Sequence, residues 1–164
     1  MGNGDAPYDY NFLPPRNEPQ KPTTPGTVLA VENQLLVAAG LKISVKSLKT
    51  GKIHSVLQKA AQFHADYQAR RGVQGHQNWN SRVKDLYKDV PECGEFKECC
   101  AESWDWNTRE QAAPEMFNSW RQSPGHWSAI NGRCDFWGYA MALNKKQNIW
   151  YACAIFGLLR ELRA

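Results

Sequence analysis

Few side chains in this sequence can do chemistry, and their spacing narrows what that chemistry is. Of the four histidines, His54 lies in a basic stretch, and His64 falls on the apolar stripe of a predicted helix, where a packed core histidine is expected. His76 and His126, taken alone, read as structurally satisfied imidazoles; only further ligands brought beside them would make them a site. Ser123 precedes His126 by three residues, but such local spacing makes no nucleophile–base pair without an oxyanion hole, so serine hydrolysis is set aside. There is no G-x-S-x-G, no H-E-x-x-H and no phosphate loop. The five cysteines, Cys93, Cys99, Cys100, Cys134 and Cys153, contain no C-x-x-C pair, which argues against a zinc ribbon. Cys134 and Cys153 fall in segments predicted to be neighbouring strands, bridged or buried as small apolar residues. With no secretory signal expected, mostly free thiols are the reading.

The elements that must position these groups follow from periodicity. A first helix is predicted from about Val28 to Ala39, closing at Gly40. A second begins at the N-cap Ser55, carries the stripe Val56, Ala60, Phe63 and Tyr67, and ends at Gly72. A third, shorter helix spans Ser81 to Lys88, ahead of Pro91. The fourth starts near Pro114 and stops at Ser123-Pro124-Gly125; the alternative is an earlier start at a Thr108/Gln111 capping box, with a kink at Pro114. After Gly132 the period changes to two. Phe136–Leu143 and Ile149–Phe156 read as strands joined by the polar turn Asn144–Asn148. Helices first and a hairpin last make an α+β helix–sheet sandwich.

The chain has 164 residues and a mean hydropathy of -0.62, with no apolar run approaching the roughly 20 residues of a membrane span. A net charge of +4 is too mild and too scattered for a nucleic-acid binder. Residues 40–74 hold seven Lys or Arg against Asp66 alone, while residues 85–115 lean acidic: two solvated faces of opposite sign. Residues 1–26 hold six of the nine prolines, with Tyr8, Tyr10 and Phe12 between them. They are predicted to form an extended arm that a partner holds, ahead of a domain over residues 27–164. The start Met-Gly-Asn-Gly-Asp shows no secretory signal and no myristoylation motif, which points to the cytoplasm or an assembled particle and leaves the compartment itself open.

The run Ser119-Trp120-Arg121-Gln122-Ser123-Pro124-Gly125-His126-Trp127-Ser128-Ala129-Ile130 resembles the W-x-x-S-P-G-H-x-x-x-I/L signature of the CAP superfamily. That superfamily comprises cysteine-rich secretory proteins, antigen 5, pathogenesis-related 1 proteins and bacterial SCP-like domains. Ala61-Gln62-Phe63-His64-Ala65 is similar to its A-x-x-H/F-A helix, and Gly75-His76-Gln77 falls where its first cavity histidine stands. Ala101-Glu102-Ser103 stands where Gly-Glu-Asn is usual, Phe136–Ala140 resembles its x-x-G-v-G strand, and Ile149–Gly157 its closing strand. The resemblance spans residues 55–157 well and 28–54 loosely. It implies a three-layer α-β-α sandwich whose cavity, lined by two histidines and two acids, holds a divalent metal, commonly zinc. His76, Glu102 and His126 match three of those positions; Ser123 occupies the fourth, as in the bacterial SPGH-type branch, with Glu115 as a substitute acid. Two imidazoles and one carboxylate suffice for a zinc site that keeps one position for water, whose lowered pKa would let it attack a carbonyl.

Three functions follow as expectations. The first is a non-enzymatic binding module with a metal in its cavity and a lipid, glycan or peptide in its grooves. The second is a structural part of a large assembly, such as a virion or phage tail, anchored to a protein partner through residues 1–26. The third is a metal-assisted hydrolase of peptide or cell-wall bonds. Fold alone does not choose among them, and the combination of the first two is the reading taken here. The tryptophans Trp104, Trp106, Trp120, Trp127, Trp137 and Trp150 are expected to pack the sandwich rather than line a groove, and Arg109 and Arg121 to be solvated.

Overall fold

A computed structural model describes residues 29–104 and 108–161; the arm over residues 1–26 and Trp106 lie outside the described residues. Its elements are α1 (Val31–Lys42), α2 (Lys46–Thr50), β1 (Lys52–Ile53), α3 (Ser55–Arg71), α4 (Trp79–Asp89), β2 (Cys93–Ser103), α5 (Arg109–Arg121), α6 (Pro124–Ile130), β3 (Phe136–Asn144) and β4 (Ile149–Leu159). The sheet runs β1-β3-β4-β2, with β1 parallel to β3 and the other pairs antiparallel. Helices pack on both faces, so the architecture is a mixed α+β three-layer sandwich. On one face Leu36, Met116, Phe117, Trp120 and Ile130 close over Tyr139, Ala152 and Phe156. On the other, Leu57, Ala61, Ala65 and Leu86 close over Cys100, Ala140, Cys153 and Ile155. Because both faces are covered, β4 is buried from Ile149 to Gly157 without interruption instead of alternating with water.

The position of α3 is set by close approach. A Cβ on Gly138 would lie 2.3 Å from the Leu57 carbonyl oxygen, so only glycine lets the first turn of α3 rest on β3. Beside it, the Gln58 side chain pairs with the β3 backbone like an extra strand residue, donating to the Tyr139 carbonyl at 2.7 Å and accepting from its N–H at 2.9 Å. At its far end α3 closes at Gly72 in the left-handed region, φ 67°, as its C′ position requires.

Several local expectations are corrected. The first helix runs through Gly40, which is buried where Leu48 and Phe117 leave no room for a Cβ, and ends at Lys42. His54, not Ser55, caps α3; its Nδ1 accepts from the Val56 N–H at 3.2 Å. The helix α4 begins at Trp79, two residues before Ser81. The earlier start of α5 prevails: Thr108 accepts from the Gln111 N–H at 3.2 Å and donates to its side chain at 2.9 Å, leaving Pro114 inside the helix. This capping satisfies the helix start at the cost of one backbone bond at Pro114. Pro124 is the first residue of a further helix, α6, and not only a stop signal. The five cysteines are free and buried. Cys134, just ahead of β3, and Cys153 serve opposite faces of the sheet, which excludes a bridge between them.

Candidate metal centre

One face of β2 carries Glu98, Cys100 and Glu102, alternate residues that point toward the layer of α3 and α4. Glu98 is the centre of what assembles there, with its side chain 1% exposed. Arg82, near the start of α4, grips it in bidentate fashion, Nη1 to Oε2 at 2.5 Å and Nη2 to Oε1 at 2.9 Å. His76 Nδ1 donates to Oε1 at 2.9 Å, and the Cys153 thiol donates to Oε2 at 3.4 Å. Burial by itself raises a carboxyl; here the charges facing it from His64 and Arg82, and the hydrogen bonds from Arg82 and His76, outweigh that and hold Glu98 well below the usual carboxylate range. At neutral pH the balancing charge is that of Arg82, because burial pushes His64 down to about 4.

The loop that bears His76 is fixed from α3. His64 Nε2 donates to the Gly75 carbonyl at 2.6 Å, and Gln68 accepts from the Gly75 N–H at 3.0 Å while donating to Ala152 of β4 at 3.2 Å. Arg82 Nε donates to the Gln77 carbonyl at 3.0 Å, closing the loop from the other side. In the two residues after His76, Gln77 Oε1 and both amide atoms of the buried Asn78 have no protein partner.

His126 arrives from the opposite layer. It sits in the first turn of α6, and its carbonyl accepts from the Cys99 thiol of β2 at 3.8 Å. Its ring centroid lies 6.4 Å from that of His76, tilted by 41°. Burial, then the charge of His76, lowers the His126 pKa and favours the neutral ring that a metal needs. With Nδ1 committed to Glu98, His76 presents Nε2 outward. This is the carboxylate–histidine arrangement that fixes the tautomer of a metal-ligating imidazole.

His64, Glu98 and Cys100 each offer one ligand atom within 4.8 Å of the others, a cluster able to coordinate a metal ion. To bind there, an ion must displace the proton that His64 gives to Gly75 and that of the Cys100 thiol, whose pKa burial raises well above its ordinary value. His76 and His126 form a pair outside that cluster, and among the described residues no third side chain completes a metal-ligating group with them. A zinc ion about 2.0–2.1 Å from each nitrogen would need the two rings about 1 Å closer than they stand.

Of the three residues the sequence singled out, the structure brings His76 and His126 together. Glu102 makes no hydrogen bond or ion pair with either; it lies about 13 Å along β2 from Glu98, in a groove with Trp104 and Tyr151. Glu115 likewise touches neither histidine among the described residues. Sequence reasoning missed Glu98, Arg82 and the polar role of His64. The available signal was an acid embedded in the run Glu98-Cys99-Cys100-Ala101, an unusual place for a solvated carboxylate. Arg121 stacks over Trp127 at 5.0 Å, and Arg109 lies 3.8 Å from Glu32.

No family model matches the chain, and no curated protein matches it. Among solved structures, the fold is similar to an outer surface protein from Borrelia burgdorferi, with a TM-score of 0.60 and 18% identity over 79% of this chain and 93% of that one. At that identity the likeness is one of fold alone. No helix among the described residues is long and apolar enough to cross a membrane.

Proposed function

We propose that this chain is a binding module of the CAP type whose cavity takes a divalent metal, zinc by preference, on His76 and His126, and which serves within a larger assembly through residues 1–26. The observation that carries the metal reading is the Glu98–His76 hydrogen bond at 2.9 Å, which turns His76 Nε2 outward beside His126. Binding is favoured over hydrolysis by the state of the carboxylate. Glu98 is ionised, saturated by Arg82, His76 and Cys153, and held too acidic to take a proton from water near neutral pH. The assembly role rests on the proline-rich arm and its aromatic anchors.

Elemental analysis and zinc titration of the wild type against a His76→Ala/His126→Ala variant test the site. Stoichiometric zinc in the wild type, lost from the folded variant, is the expected result. Zinc kept by the variant moves the ligands inward to His64 and Cys100, and no zinc in either ends the metal reading. Removing residues 1–26 is expected to abolish incorporation into the assembly while leaving the domain folded.

A further inference from the structure

The described tryptophans divide by surroundings. Trp120, Trp137 and Trp150 are buried in the core, and Trp79 and Trp127 are each covered by an arginine, Arg82 at 5.3 Å and Arg121 at 5.0 Å. Trp104, just past the end of β2, has neither cover among the described residues and is 61% exposed. It borders an open groove of about 500 Å³, within the size range of small-molecule sites. Glu102 lines that groove on the same strand face, with no ion-pair partner among the described residues, and Gln74 adds an exposed amide. The floor is rigid: Tyr151 donates to Gln147 Oε1 at 2.7 Å, and Gln147 Nε2 donates to the Gly72 carbonyl at 3.1 Å.

We infer that this groove binds a short neutral oligosaccharide, with a sugar ring stacked on Trp104 and its hydroxyls hydrogen-bonded to Glu102 and Gln74. A pyranose has an apolar C–H face that matches an aromatic platform, and a rim of hydroxyls that donate to a carboxylate and exchange bonds with an amide. A quaternary ammonium ligand fits less well. Cages for such cations use several exposed rings, and the Tyr151 ring is buried with its hydroxyl engaged. Glycoside hydrolysis uses two carboxyl groups flanking the bond, and Glu102 is the single acid lining this groove among the described residues. Sugar binding here is separate from the metal site and does not depend on it.

Saturation-transfer NMR of the full chain with chitotriose, maltotriose, cellotriose and mannotriose at millimolar concentration tests it. At least one sugar is expected to bind, with saturation strongest on the protons of one ring face and little change on raising salt. Trp104→Ala is expected to lower affinity at least tenfold and Glu102→Gln severalfold, while Glu95→Gln, an exposed acid at the other end of β2, binds like the wild type. Binding by none of the four sugars, binding that survives Trp104→Ala, or binding that weakens steeply with salt as an ion-paired cationic peptide would, overturns the inference.

Discussion

Glu98 and Glu102 occupy one face of one strand, four residues apart, and the fold makes them different groups. Glu98 lies where α3, α4 and the His76 loop meet over the sheet, cut off from water and matched by Arg82. Glu102 lies where that cover ends, beside an exposed indole. A carboxylate out of water must be paired to remain charged, so Glu98 binds the fold together and points His76 outward. A carboxylate at the open end keeps its lone pairs for whatever enters. The strand thus passes from a buried, ion-paired middle at Glu98 to an open end at Glu102 within about 13 Å.

The largest effect should separate the two acids directly. Glu98→Gln leaves the Arg82 guanidinium buried without its counter-charge and is expected to cost about 3–5 kcal/mol, whereas Glu102→Gln should stay within about 0.5 kcal/mol, as for a surface change. Urea denaturation of both variants checks this; equal losses would erase the distinction.

Acid should act on the buried end next. Folded His64 titrates at about 4 against an ordinary 6.5, so between those values the unfolded chain binds a proton that the folded chain does not. Stability from this group is therefore full above about pH 6.5 and falls as pH drops toward 4, by about 3 kcal/mol in all. Glu98, held below its ordinary 4.5, adds a further loss only once the pH passes under that value. Denaturation curves across pH 4–7 should show this slope in the wild type and a flattened one in His64→Gln; an unchanged slope would place the titration elsewhere.

The smallest effect belongs to the groove floor. Tyr151→Phe removes the bond to Gln147 and should cost about 0.5–1.5 kcal/mol, with sugar affinity reduced less than by Trp104→Ala. Thermal melting and the same NMR titration measure both.

What the sequence made legible is what local periodicity encodes. The helix α3 with its Gly72 terminus and the β3–β4 hairpin about a polar turn were each readable from residues close in the chain, though α3 buries Leu57, Ala61 and Ala65 while Val56, Ala60 and Phe63 of the expected stripe stay half-buried. The strand β2 was not, because its pattern mixes Lys97 and Glu98 with two cysteines and shows no clean alternation, one face being divided between core, ion pair and groove. His54 as a cap and Thr108 as the start of α5 turned on single hydrogen bonds that propensity does not rank. Of the candidate site, the SPGH run and Gly75-His76-Gln77 pointed to two histidines that the fold brings within 6.4 Å, while the acid that hydrogen-bonds His76 is Glu98, four residues before Glu102.

The amino-acid sequence by itself determined the long helix α3 and the closing β3–β4 hairpin, since period, caps and turn residues act over a few positions, but not β1 and β2, which interrupt the helices. Only the tertiary structure decided which acid is buried, because Arg82 and Glu98 meet across 16 residues and His126 approaches from the opposite layer. It also decided that Trp104 is left in the open. Burial is a property of what packs above a residue, and for these residues the cover comes from elements remote in the chain.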